Sequence, residues 1–220
     1  MSVKRIAVLV SGGGTNLQAL IDAQERGEII NGRIAAVIAS KEGAYALERA
    51  AKAGIPGYVV ARRDYPSNQA MTAALLDKLK SLNIDLVVLA GFMVILTGEM
   101  VRAYPNAILN VHPALIPSFC GEGYYGLHVH EKALEYGVKV SGATVHFVSE
   151  ECDGGPIVLQ KAVEVAENDT PETLQRRIME RAEWVILPRA VSLFCQGRLR
   201  VEGRTVRILK PLNLSKECLQ

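Results

Sequence analysis

Asn110 and His112 stand two apart in the run Ala107-Ile108-Leu109-Asn110-Val111-His112-Pro113-Ala114-Leu115-Ile116-Pro117. In an extended chain that spacing sends both side chains to one face. Pro113 biases His112 away from helical backbone, so the extended geometry persists through the histidine. An amide donor and an imidazole then project side by side at the carboxyl end of an apolar strand, the edge at which open parallel sheets bind ligands. A plainer reading is a histidine that satisfies a backbone group near a strand end.

A second chemical stretch is Ser11-Gly12-Gly13-Gly14-Thr15-Asn16, between an apolar run and a helical pattern. Strand, glycine-rich turn and helix start together make an anion site, because glycine lets backbone come close and the first helical N–H groups point outward. Neither the dinucleotide fingerprint nor the phosphate-loop motif is matched. A tight turn with Thr15 or Asn16 capping the helix is the alternative.

Other candidates are weaker. Asp153, in Ser149-Glu150-Glu151-Cys152-Asp153-Gly154-Gly155-Pro156, is first of all turn chemistry, yet it is an acid fixed by glycines between two strands. Gly91-Phe92-Met93-Val94-Ile95-Leu96-Thr97 is apolar where a polar loop is usual; it packs in the core or forms a greasy wall for a flat heteroaromatic ligand. His128 and His130 have metal-ligand spacing, but no Cys or carboxylate lies at a recognisable interval, so no metal is expected. The glycine-containing stretch Ser118 to His130 reads as a mobile loop that could act as a lid. Glu183 falls mid-helix, where a glutamate usually lies on a solvated face.

The elements that must position these residues alternate. Strands are expected at Ile6–Val10, Arg33–Ala39, Gly57–Val60, Leu86–Ala90 and Ile108–Val111, with helices from Leu17 to about Arg26, Ala44–Ala53 and Ser67 to about Leu82 between them. That order implies right-handed crossovers and a mostly parallel, twisted α/β sheet with helices on both faces. Then come a helix Glu131–Tyr136, a strand Val138–Val148, a strand Ile157–Val163, a helix capped by Thr170 that runs to about Gln196 with a bend at Pro188, and a hairpin of Leu199–Val201 with Thr205–Leu209.

Composition sets the limits. The 220 residues suit one domain with a substantial core, 49% hydrophobic and 22% charged. Lys plus Arg number 25 against 23 acids, which gives no bulk attraction for nucleic acid. No apolar run approaches a membrane span, and the N-terminus enters a strand without a signal-peptide pattern. Cys120, Cys152, Cys195 and Cys218 are widely spaced, as for free thiols in a reducing cytoplasm.

Taken together these stretches resemble the phosphoribosylglycinamide formyltransferase family. The resemblance spans nearly the whole chain: Ser11–Leu17, Leu89–Met93, Asn110–Pro117, Gly142–Val148 and Asp153–Pro156. The Asn-x-His-Pro element with a later Asp-x-Gly is shared by 10-formyltetrahydrofolate-dependent formyltransferases and hydrolases and carries the chemistry; the glycine loop suggests the substrate. The resemblance implies a single formyltransferase-fold domain over 1–220, with a Rossmann-like phosphate-binding half at about 1–105 and a folate-binding, catalytic half at about 106–220. It makes Asn110, His112 and Asp153 catalytic, gives Gly14, Thr15 and Asn16 the substrate phosphate, and gives Glu183 the glycinamide end. Met93, Val94, Ile95, Leu96 and Val148, with Asn110 and Asp153, would line the folate pocket. Two departures stand out: Val94 replaces an Arg common in the family, and Gly121-Glu122-Gly123-Tyr124-Tyr125 enlarges the loop after Pro117.

The implied reaction is direct attack of the glycinamide amine on the formyl carbon, in de novo purine synthesis, with Asn110 and a protonated His112 donating to the oxyanion. Asp153 is expected to raise the His112 pKa. The implied partners are small-molecule substrates, with neither nucleic acid nor membrane, and the chain a cytoplasmic monomer or homodimer. A formyltetrahydrofolate hydrolase would usually carry an extra N-terminal domain, and a formyltransferase acting on initiator tRNA a basic C-terminal one. A non-catalytic phosphate-binding module leaves Asn110 beside His112 unexplained.

Overall fold

The computed structural model describes residues 2–210. Its first half alternates β1 (Lys4–Val10), α1 (Thr15–Glu25), β2 (Gly32–Ala39), α2 (Tyr45–Lys52), β3 (Gly57–Val59), α3 (Asn68–Ser81), β4 (Leu86–Leu89), α4 (Gly98–Ala103) and β5 (Ile108–His112). The second half adds α5 (Leu127–Tyr136), β6 (Val140–Phe147), β7 (Ile157–Glu164), α6 (Pro171–Ile178), α7 (Trp184–Cys195), β8 (Leu199–Glu202) and β9 (Thr205–Ile208). Among the described residues these strands form one nine-stranded sheet in the order β3-β2-β1-β4-β5-β6-β7-β9-β8. Neighbours from β3 to β5 run parallel, and β6 and β7 are added antiparallel.

Alternation along the strands builds two cores, as expected for a sheet covered on both faces. Ile6, Val8 and Val10 of β1 face one side with Leu17 and Leu20 of α1 and Leu187 and Val191 of α7. Ala7 and Leu9 face the other with Met71, Leu75 and Leu79 of α3 and Met100 of α4. In β5, Leu109 and Val111 join the first core and Ile108 the second. Asn110 and His112 therefore leave the strand on the α3 side, beyond the part of that face which Ile108 closes.

The helix starts follow local chemistry. The Ser67 side chain accepts from the Ala70 N–H, and Thr170 forms a capping box with Thr173 ahead of Pro171. Three expectations are corrected. Helix α5 begins at Leu127, not Glu131, so His128 and His130 lie on a helix and the loop after Pro117 is correspondingly shorter. The last long helix is not continuous from Thr170 to Gln196: Met179–Glu183 widens into a π-turn between α6 and α7, and Pro188 sits inside α7. Helix α1 starts from Gly14 in left-handed backbone with no side-chain cap, so neither Thr15 nor Asn16 caps it. Helix α4 and a short 3-10 turn at Arg62–Asp64 stand where no element was expected. Cys120, Cys152 and Cys195 are free thiols, and Cys218 lies outside the described residues.

Candidate active site

Three segments meet at the carboxyl end of β5. Cross-strand pairing places Asn110 opposite His146 and His112 opposite Thr144, so four polar side chains share one face of β5 and β6. The turn from β6 to β7 brings Asp153 over them, with φ 53° at Asp153 itself. Gly155 makes this possible: a Cβ there would come 1.8 Å from the Phe147 carbonyl oxygen. The Asp153 carboxylate sits between the two residues that drew attention in the sequence. Its Oδ1 is 3.4 Å from Asn110 Nδ2, and its Oδ2 is 3.4 Å from His112 Nδ1. The Gly121 N–H donates to Oδ2 at 3.0 Å, and His146 Nε2 lies 3.5 Å from Oδ1.

The electrostatics of this cluster correct one expectation. His112 is 4% exposed, and burial is the largest influence on it; Asp153 and the Phe119 carbonyl oppose that burial without overcoming it, so the pKa is lowered, not raised. Its Nε2 is 2.7 Å from the Phe119 carbonyl oxygen, an acceptor only, which places a proton on Nε2. His112 is therefore not a standing imidazolium, and its N–H is engaged by the backbone. Burial also works against ionisation of Asp153, but His146, His112 and the Gly121 N–H together outweigh it and hold the carboxyl below its ordinary value.

The segment after His112 is anchored from beneath. Thr144, fully buried, donates to the Ala114 carbonyl at 2.7 Å and accepts from the Ile116 N–H and from Gln160 Nε2. Gln160 Nε2 also reaches the Ile116 carbonyl oxygen at 2.9 Å. No role was expected for Thr144 or His146, which stand two apart on β6, nor for Gln160, Phe119 or Gly121. The two-residue spacing on β6 was the available signal; the partners of Gln160 and Phe119 have none in local sequence.

The glycine loop forms a second group. A Cβ on Gly14, which has φ 72°, would meet Ala46 Cβ at 2.6 Å, so α2 packs directly against the loop. Ser11 links this loop to the β4 end: its Oγ accepts from the Met93 N–H at 2.8 Å, and its N–H donates to the Gly91 carbonyl. Thr15, half-buried, opens α1 with its first-turn N–H groups free of side-chain caps. Asn16 is turned inward, and its Nδ2 donates to Glu183 Oε2 at 2.6 Å. Glu183 is not on a solvated face. The π-turn, an insertion of a kind frequent at functional sites, brings it to 6% exposure, where burial pushes its carboxyl up to about 7 against the opposing Asn16 hydrogen bond.

The apolar segment after β4 divides by alternation. Val94 and Leu96 pack against the α3-side core with Phe92 and Val148, whereas Met93 and Ile95 are exposed. His128 pairs with Glu131 on the surface of α5. His130 is buried, and neither ring nitrogen has a hydrogen-bond partner. Two cavities, about 300 and 450 Å³, flank α1 and α7 and share Arg26 and Trp184. The smaller reaches Thr15; neither includes Asn110, His112 or Asp153, over which Phe119–Gly121 closes. Among the described residues no helix is long and apolar enough to cross a membrane.

Comparison with known proteins bears on what this arrangement is for. Residues 4–191 match the formyl transferase family model. The chain is 45% identical over 200 residues to a phosphoribosylglycinamide formyltransferase from Haemophilus influenzae, covering 91% of each protein. The crystal structure of glycinamide ribonucleotide transformylase 1 from Symbiobacterium toebii superposes with a TM-score of 0.89 at 50% identity, over 94% of this chain and 95% of that one. The phosphoribosylglycinamide formyltransferase of Coxiella burnetii gives 0.85 at 36% identity, over 93% of each chain. The resemblance read from Asn110–Pro117 and Asp153–Pro156 thus extends to the whole fold, and the chain belongs to the phosphoribosylglycinamide formyltransferase family, within the formyl transferases.

Proposed function

We propose that this protein transfers the formyl group of 10-formyltetrahydrofolate to the amine of 5-phosphoribosylglycinamide, in the cytoplasm, as a step of purine nucleotide synthesis. The observation that carries the reading is the Asp153 carboxylate set within 3.4 Å of both Asn110 and His112 at the carboxyl end of β5. The substrate amine attacks the formyl carbon, the carbonyl oxygen gains negative charge, and the bond from carbon to N10 of the folate breaks. The proton lost by the amine ends on N10, so no formyl-enzyme intermediate is needed and neither Cys120 nor Cys152 takes part.

His112 Nε2–H, now given to the Phe119 carbonyl, is the donor an oxyanion takes over, because a carbonyl oxygen already marks an acceptor position there. Such a donor is worth about 10²–10³ in rate. Asp153, ionised, favours a proton on His112 Nδ1 as that charge develops. The half of about 1–105 holds the phosphate on Gly14, Thr15 and Asn16 at the uncapped start of α1, and Glu183 meets the glycinamide amine. The half of about 106–220 supplies catalysis and, with Met93, Val94, Ile95, Leu96 and Val148, the folate pocket. The partners are these small molecules and the chain acts as a monomer or homodimer. Folate-product absorbance, followed with and without glycinamide ribonucleotide, tests the reading. Release only with the ribonucleotide is expected; equal release in water alone makes the protein a hydrolase.

A further inference from the structure

We propose that His146 decides which end of the Asn110 carboxamide faces the substrate, and so whether Asn110 can donate to the formyl oxygen; this rests on the formyl-transfer reading of the site. His146 is 1% exposed and directly opposite Asn110 across β5 and β6. Its Nδ1 lies 2.9 Å from the Phe147 carbonyl oxygen, which can only accept, so Nδ1 carries a proton. In the neutral ring Nε2 is then a lone pair. It faces Asn110 Nδ2 at 3.1 Å, and Asp153 Oδ1 lies 3.4 Å from the same Nδ2. Both amide hydrogens are thereby drawn inward, and the end of Asn110 left for a ligand is Oδ1, an acceptor, which repels a developing oxyanion.

A second proton on His146 reverses this. Nε2–H becomes a donor with the Asp153 carboxylate 3.5 Å away to hold its charge. The carboxamide turns over, giving Oδ1 to Nε2–H and pointing Nδ2 outward. The amide oxygen and NH₂ occupy nearly the same volume, so the exchange needs no repacking; it gives up the 3.4 Å contact of Nδ2 with Asp153 Oδ1, and the charge on His146 must offset that loss. The ionisable groups facing the ring are Asp153 from the turn after β6 and His112 from β5. His146 is thus a positioning residue that acts through Asn110, and Asp153 serves both histidines.

The test is a double-mutant cycle with a spectroscopic readout on the unaltered enzyme. His146→Leu can neither donate to Asn110 nor accept from it; it is expected to lower kcat about ten- to a hundredfold with KM for both substrates within about twofold. In an Asn110→Ala background the same change is expected to cost nothing further, whereas additive losses overturn the proposal. In ¹⁵N-labelled wild type, His146 Nδ1 is expected to carry a proton throughout, and the Asn110 Nδ2 cross-peaks to move in one step with any second proton on His146 Nε2. A neutral ring protonated on Nε2, or Asn110 peaks that ignore the step, overturns it without any variant having to fold. If Asn110→Ala alone leaves kcat unchanged, the formyl-transfer reading of the site falls and this proposal with it. An impaired Asn110→Ala beside an unimpaired His146→Leu overturns this proposal only.

Discussion

Asn16 donates its side-chain N–H to Glu183 across 2.6 Å, joining two residues 167 positions apart in the chain. Asn16 lies in the first turn of α1 beside the glycine loop and Glu183 ends the π-turn ahead of α7, so the contact ties the glycine loop to the start of α7.

This pair sets a pH dependence. Burial raises the folded-state pKa of Glu183 from 4.5 to about 7, so its proton stabilises the fold below pH 4.5 and that stability is lost as pH rises through 7. The rise corresponds to roughly 3 kcal/mol. Thermal melts from pH 4 to 8 should therefore show a fall in wild-type stability between about 4.5 and 7, relative to a Glu183→Gln variant. Parallel curves would mean that Glu183 titrates normally. Asn16→Ala, which removes the opposing hydrogen bond, should move the fall to higher pH and raise KM for the phosphorylated substrate.

Asp153→Asn tests the carboxylate at the centre of the β5 cluster. The variant keeps the size of the side chain and removes the charge that faces His112 and His146. Turnover should drop by about 10²-fold or more with KM nearly unchanged, because the lost interaction strengthens only as charge develops. Steady-state kinetics with both substrates check it; near-normal turnover would reduce Asp153 to a turn residue.

Gly155 and Gly154 separate backbone fit from side-chain fit. A Cβ at Gly155 meets the Phe147 carbonyl at 1.8 Å, whereas one at Gly154 meets the Glu151 side chain, which can swing away. Gly155→Ala should cost about 1–3 kcal/mol by denaturant unfolding and displace Asp153, lowering kcat as well. Gly154→Ala should stay close to wild type in both. Equal effects would show that the turn tolerates a shift.

Thr144→Val keeps shape and deletes the hydroxyl that holds Ala114, Ile116 and Gln160. Leaving buried partners unpaired should cost about 1–3 kcal/mol and slow turnover by loosening the segment that follows His112. Thr144→Ser restores the oxygen and should recover most of both. Unfolding curves and kcat for the two variants give the comparison.

Sequence alone determined the βα alternation, the extended Asn110–His112 pair and the capped starts of α3 and α6, because each depends on chemistry within a few residues: strand periodicity, Pro113, Ser67 and Thr170. The family resemblance supplied Glu183, which the helical pattern by itself would have left on the surface. Only tertiary structure decided what surrounds those residues. The inward turn of Glu183 needs the π-turn and Asn16, and His146 gains its place by strand pairing. The direction of the His112 pKa is a contest between burial and the Asp153 charge, and the spacing of residues along a chain carries no measure of how much water the fold excludes. Local rules can state which groups a strand presents; the depth at which they lie, and the partners they meet there, come from segments tens to more than a hundred residues away.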